Sequence, residues 1–276
     1  MKKTHKILIS VLSVLIIGGG IYYWYTNYKV PHDKAVTEFN SAKKLISQKN
    51  KNLDTEIDDS KKILGSKDKP FKQDTFTQLQ VSITDAQKTK RNIPSLPTKT
   101  KDINEATEAL NKPLDYSKVI NNLKEKKKIA LNSIAQQKQI TNPKESFVIN
   151  KLKRVEKVKD IQAATEDNDP NDSLNKQGGY TSAVYFSSSD INQDEIFGKS
   201  LLDKGTESGG SIEVYKTVED AKKRNEYLSS FDGTGMLSPG AHSILGTIVI
   251  RISDKLTATQ QKDLESQIIN QLLTLE

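Results

Sequence analysis

The sequence predicts a three-part chain: an N-terminal transmembrane helix, an all-α helical bundle or stalk, and an α+β domain with a small, mainly antiparallel three-stranded sheet and helices. Three observations predict it. An uncharged run from Ile7 to Tyr25 follows the cations Lys2, Lys3 and Lys6. From Pro31 to Thr141, apolar residues recur at three- and four-residue steps with almost no strand signal. From Thr165 onward, Asp, Asn, Gly and Pro clusters separate short alternating runs.

The first element is the apolar run. As a helix with about 1.5 Å rise per residue it is about 28 Å long, close to the roughly 30 Å hydrocarbon core of a bilayer. Tyr22, Tyr23, Trp24, Tyr25 and Tyr28 stand where an interfacial aromatic belt belongs. Read this way, residues 1–6 form a cytoplasmic tail and residues 7–28 a single-pass signal anchor in the cell membrane, with the bulk of the chain extracellular. A cleaved signal peptide is the competing reading. The length of the run and the bulky aromatics at the place of a small-residue cleavage site argue against it. The chain has no cysteine, which excludes a lipobox, a disulfide scaffold, a thiol nucleophile and a zinc–thiolate site.

Charge divides the remainder of the chain. Residues 31–160 carry 28 Lys and Arg against 17 Asp and Glu, a balance of +11, and residues 161–276 carry 10 against 18, a balance of −8. The basic part suits an anionic lipid surface or an anionic envelope polymer. The plainer reading is a solvated helix surface. Nucleic acid is not expected, because the basic region lacks interleaved aromatics.

Residues 31–141 read as the helical bundle or stalk. One stripe runs Phe39, Ala42, Ile46, Leu53, Ile57, Leu64 and ends at Gly65 and Pro70. A second runs Phe76, Leu79, Ile83, Ala86 and is broken by Ile93-Pro94-Ser95-Leu96-Pro97. A third runs Ile103, Ala106, Leu110, is punctuated at Pro113, and continues through Val119, Leu123, Leu131 and Ile134. Asp115 or Ser117 caps its last piece. Three amphipathic helices of this kind suggest a three-helix bundle with a thin core, and a single long coiled coil is the alternative.

Residues 145–276 read as the α+β domain. Phe147, Ile149, Leu152, Val155 and Val158 predict a helix. Strands are expected over Thr181–Phe186, Ser211–Tyr215 and Thr247–Ile252, with helices opened by Thr217-Val218-Glu219-Asp220 and Thr257-Ala258-Thr259-Gln260. The order suggests a sheet with helices on one face. Glu213 and Arg251 would then meet on its exposed face if their strands are neighbours.

The candidate ligand or metal site is the loop Glu166, Asp167, Asn168, Asp169, Asn171 with Gly178, Gly179 and Tyr180. Its oxygen-rich spacing invites Ca²⁺, but Asp172 and Gly178 stand where an EF-hand needs Gly and Glu. Turn formation is the plainer account of these residues. Gly178-Gly179 and Gly209-Gly210 supply positive φ or close backbone approach. His242 lies in a Ser/Pro/Gly loop, Ser187-Ser188-Ser189 has no histidine partner in sequence, and neither HExxH nor GxSxG occurs. No catalytic residue is assigned, and no cofactor other than Ca²⁺ is considered.

TEDNDPN followed by LNKQGGYT, then GGSIEVYKTVEDAKKRNEYL and GTIVIRISDKLTATQQ, resembles an uncharacterised C-terminal module of Gram-positive membrane-anchored surface proteins. The resemblance covers about Glu145 to Glu276, and the helical part is loosely similar to Ebh-type bundles. It implies location and architecture and no catalytic residue. The expected function is a non-enzymatic surface protein that displays an α+β binding head on a helical stalk, its partners being the membrane and an anionic polymer or surface protein. The alternatives are an envelope structural or regulatory factor acting on a neighbouring membrane protein, and a calcium-dependent binding head.

Overall fold

The structure, a computed structural model, describes residues 15–235 and 238–276. The chain forms two compact units. One comprises the residues up to Ser66 with Asp74–Ile129, and the other Lys67–Gln73 with Ala130–Glu276.

The helical unit is built on α1 (Val30–Leu64), α2 (Asp74–Thr89), α3 (Thr100–Asn111) and the start of α4 (Ser117–Gln139). Residues 15–24 are helical and lead through a π-helical stretch, Tyr25–Lys29, directly into α1. Thr26 and Asn27 donate side-chain hydrogen bonds back to the carbonyls of Tyr22 and Tyr23 at 2.9 Å each, a local competition for backbone acceptors beside the widened turns.

The expected membrane anchor is corrected here. Among the described residues no helix is long and apolar enough to cross a membrane. The single-pass placement and outward topology, and the membrane and cell-surface assignments drawn from them, lose their support. Residues 7–14 of the expected anchor and its flank Lys2, Lys3 and Lys6 lie outside the described residues. Trp24 lies on the exposed surface of the helix.

Within the helical unit the predicted stripes supply most of the core. Ala35, Phe39, Ala42 and Ile46 of α1 pack with Ile103 and Leu110 of α3. Farther along, Leu53 and Ile57 of α1, Leu79, Ile83 and Ala86 of α2, and Leu123 of α4 are buried. Local geometry makes two corrections. The third amphipathic region is two helices, because Pro113 forces Lys112 to an extended ψ of 142° and α3 stops at Asn111. Leu131 is exposed while Ala130 is buried, since 123, 130 and 134 keep one helical stripe and 131 is turned about 100° from it.

The α+β unit holds α5 (Glu145–Leu152), β1 (Val158–Ala163), β2 (Tyr180–Ser188), β3 (Gly209–Tyr215), α6 (Val218–Ser229), β4 (Ala241–Leu245), β5 (Ile248–Ile252) and α7 (Ala258–Leu273). Its sheet has five antiparallel strands in the order β1-β2-β3-β5-β4, not three. The expected helix through Val155 and Val158 ends at Leu152, and Val158 opens β1. His242 lies on β4, joined to β5 by the two-residue turn Gly246-Thr247. Gly246 has φ +64°, and a Cβ there would stand 2.4 Å from the Ile140 carbonyl oxygen, so only glycine fits.

Helices cover both faces of the sheet rather than one. Val184, Phe186, Ile212, Val214, Ile250 and Ile252 face α5 and α7. Ala183, Tyr185, Tyr215 and Val249 share the opposite core with Ala221 and Leu228 of α6. Side chains from elsewhere in the unit close the C-terminal end of α7. Gln139 donates to the Leu272 carbonyl (2.7 Å), Gln136 to Leu273 (3.1 Å) and Lys151 to Thr274 (2.8 Å). They satisfy carbonyls that a helix end otherwise leaves unpaired.

Candidate functional site

The acidic loop is built from short polar side chains that bond their own backbone. Asp169 Oδ2 accepts from the Ser173 and Leu174 N–H groups (2.6 and 2.9 Å), and its Oδ1 accepts from Asn171 N–H and the Tyr180 hydroxyl. Asn168 accepts from Thr165 N–H (2.6 Å), and Glu166 from the Asn175 amide (2.7 Å). Asp167 is exposed. Burial opposes ionisation of Asp169, but the Tyr180 hydroxyl and three backbone N–H groups outweigh it and hold the carboxyl below its ordinary range. Gly178 takes φ +76°, and a Cβ on Gly179 would stand 1.9 Å from the Ser173 carbonyl oxygen.

The loop thus spends its oxygens on its own closure. A hollow of about 210 Å³ lies among Glu166, Asp169, Asp172, Leu174, Asn175 and Lys176. Lys176 already pairs with Asp172 at 2.5 Å. Among the described residues no group of three or more His, Asp or Glu is placed to hold a metal ion. The eight candidate residues therefore meet only in part: Asp169, Asn171 and Tyr180 form one cluster, with Gly179 closing its turn, while Glu166 and Asn168 bond elsewhere in the loop.

This cluster leads to a second one under α6. Asn171 donates its amide to both the Tyr180 and Tyr185 hydroxyls (3.2 and 3.0 Å). Burial, then the Glu213 carboxylate, pushes the Tyr185 hydroxyl up to about 12. Glu213 and Arg251 do meet, at 3.2 Å, but Glu213 is fully buried, not on an exposed face. Arg224 of α6 grips Glu213 with two bonds, Nε to Oε2 at 2.8 Å and Nη2 to Oε1 at 2.9 Å, and the Tyr215 hydroxyl donates to Oε2 at 2.9 Å. Burial works against the Arg224 charge, yet Glu213 overcomes it and raises the guanidinium above its ordinary range. Arg224 was missed in sequence, although it interrupts the stripe Ala221, Arg224, Leu228 at three- and four-residue steps. A charge on a buried stripe is a signal for a buried partner.

Among the described residues no serine–histidine hydrogen bond forms. Ser187 donates to Asp160 at 2.9 Å on the β1–β2 side of the sheet. His242 stands on β4, its ring nitrogens 2.8 Å from Asn225 Oδ1 and 3.2 Å from Asp232 Oδ1. β2 and β4 are separated by β3 and β5, a gap of about 14 Å at the usual strand spacing.

A larger accessible feature lies in the helical unit. Asn40, Lys44, Ser47 and Lys51 share one stripe of α1, on the side away from Ala42 and Ile46. Two adjoining clefts of about 660 and 640 Å³ run along it and share Ser47 and Lys51. From Phe39 to Leu53, α1 has four lysines and no Asp or Glu. Outside that stretch its lysines are paired: Lys34 with Glu38 (3.9 Å), Lys61 with Asp58 (3.8 Å) and Lys62 with Asp59 (2.8 Å). Lys49 is spent on the Leu114 carbonyl at 2.6 Å. Lys43, Lys44 and Lys51 have no partner among the described residues.

A buried network fixes the floor of this groove. The Tyr116 hydroxyl donates to Asn50 Oδ1 (2.8 Å) and accepts from Arg91 N–H (2.7 Å), and the Asn50 amide donates to the Arg91 carbonyl (2.9 Å). The Arg91 guanidinium donates to the carbonyls of Leu110, Lys112 and Pro113, closing the end of α3. The groove therefore has a rigid polar floor and a rim of free cations. Comparison with known protein families, curated proteins and solved structures returns no match.

Proposed function

We propose that this protein is a non-enzymatic binding protein whose helical unit holds an anionic polymer along the middle of α1. The observation that carries the reading is the unpaired lysine rim, Lys43, Lys44 and Lys51, over two adjoining clefts whose one lining acid, Asp54, is paired with Lys90 at 2.6 Å. From Asn40 to Asp54 the groove follows about 21 Å of helix, enough for several charges of a linear polyanion. Asn40, Ser47, Gln48, Asn52 and Asn92 offer amide and hydroxyl groups beside the cations. The lining has no aromatic side chain on which a nucleobase would stack, so recognition rests on charge and hydrogen bonds. The tight commitment of Glu213, Asp169 and His242 to neighbouring groups supports a role without catalysis.

The test is binding of the full chain to long-chain polyphosphate and to heparin. Lys43→Glu combined with Lys44→Glu and Lys51→Glu is expected to weaken binding at least about tenfold and to flatten its salt dependence. Reversing the paired lysines Lys34 and Lys61 is expected to change binding far less. Equal binding by the triple variant and the wild type would overturn the reading.

A further inference from the structure

The α+β unit carries a separate cationic place. A cleft of about 470 Å³ lies between the end of α4 and α5, with Asn142, Lys144, Phe147, Asn150 and Lys151 in its wall. Its volume falls within the roughly 300–1,000 Å³ typical of small-ligand pockets. The Lys151 side chain is only 2% exposed. A buried ammonium needs an anion and hydrogen-bond acceptors, and the partners here are unequal. The Thr274 carbonyl accepts at 2.8 Å, and the Phe147 ring lies 5.3 Å from Nζ. The anion is Glu276, with Oε1 at 3.3 Å, and that side chain is 65% exposed. The same oxygen is 2.9 Å from Arg154 Nη2, itself half exposed.

The cation is therefore fixed in the wall, while its anion sits at the surface on the segment that comes after α7. Glu276 is 65% exposed and its second donor, Arg154, is 49% exposed, so this end of the pair is open to exchange with a carboxylate from solvent. An outside carboxylate in the position of Glu276 would meet the same two donors without moving Lys151. Lys144 and the amides of Asn142 and Asn150 continue the wall for a neighbouring residue of such a ligand. Lys138, also in the wall, is occupied by Asp68 at 2.7 Å.

We infer that Lys151 and Arg154 form a carboxylate-binding subsite for an acidic peptide, and that Glu276 fills it in cis as a competing internal ligand. The site is distinct in residues from the groove on α1 and does not rest on it.

The test is titration of fluorescein-labelled hexaglutamate into the full chain, read by anisotropy. Glu276→Gln removes the internal competitor and is expected to tighten binding about tenfold, as for a site that Glu276 occupies about nine-tenths of the time. Arg154→Ala in the Glu276→Gln background is expected to abolish that gain. Arg154 is half exposed, so this variant folds even if Lys151→Met does not. The Lys43, Lys44 and Lys51 charge reversals are expected to leave the gain intact. The inference is overturned if Glu276→Gln binds hexaglutamate no tighter than wild type, if Arg154→Ala preserves the gain, or if the α1 reversals remove it.

Discussion

The two units treat charge in opposite ways. In the helical unit the ion pairs keep contact with solvent, whether between residues three or four apart, as in Lys62 with Asp59 and Lys101 with Glu105, or between distant segments, as in Lys90 with Asp54 and Lys127 with Glu56. The polar groups it buries are short or uncharged: Asn50, Ser60, Ser82 and Thr107. The α+β unit instead encloses a complete carboxylate, Glu213, between two guanidinium groups and a tyrosine hydroxyl. A helix satisfies its own backbone, so its outer residues are free to vary and a lysine rim disturbs nothing beneath it. Under α6 every charge is tied to another that has also lost its water. Replacing one member strands the rest. The difference teaches where ligand chemistry is free to reside: where at least one partner of a charge still meets solvent, not where every member of the group has lost its water.

The strongest way to break this contrast is Glu213→Gln. It leaves Arg224 and Arg251 without a counter-charge and is expected to destabilise the α+β unit by about 3–5 kcal/mol. Urea unfolding followed by circular dichroism should show one transition moving and the helical unit's transition staying in place. A joint shift, or none, would refute the contrast. A smaller effect is expected inside the helical unit. Tyr116→Phe removes the hydroxyl shared by Asn50 and Arg91 and should cost about 1–2 kcal/mol in that unit alone. If its loss is nearly neutral, the groove floor is held by packing rather than by this network.

The smallest effect tests the acidic loop. The folded state holds the Asp169 carboxyl below its ordinary value, so its contribution is present above the unfolded pKa, near 4, and fades as the pH falls through the folded one. Asp169→Asn should lower the stability of the α+β unit by about 1 kcal/mol at neutral pH, solvent screening keeping the figure small. As the pH falls through the lowered folded value, the variant and wild type should converge. A pH-independent difference would mean that shape, not charge, closes the loop.

Periodic features were legible in sequence. Phe39, Ala42, Ile46, Leu53 and Ile57 announce the buried side of α1 by spacing alone. The caps Thr217 and Thr257 accept the Asp220 and Gln260 N–H groups at the starts of α6 and α7. What was not legible depends on partners distant in sequence. β1 has no breaker before it, and Val155 and Val158 fit a helical stripe as well as a strand. β4 had a readable sign, Gly246-Thr247 between two alternating runs, but its hydrophobic content is low. The placing of Glu213 indoors required knowing that α6 covers that face and brings Arg224 with it. The acidic loop was visible as a cluster of acceptors. That its donors would be Ser173, Leu174 and Tyr180 was not visible, because hydrogen-bond direction is settled only by the fold. The α1 groove depended on an absence of acids over 15 residues, a pattern present in the sequence but meaningful only once the clefts beside it were seen.

The side chains that close α7 set an order in time. Gln136, Gln139 and Lys151 reach carbonyls 137, 133 and 123 residues later in the chain. During synthesis these groups emerge long before their acceptors exist. The helical unit draws its contacts from residues already made and is able to assemble on the ribosome, whereas the α+β unit completes itself only when α7 has been released. Until then Lys151 is a nascent-chain ammonium in water, and its burial waits for the Thr274 carbonyl 123 residues later.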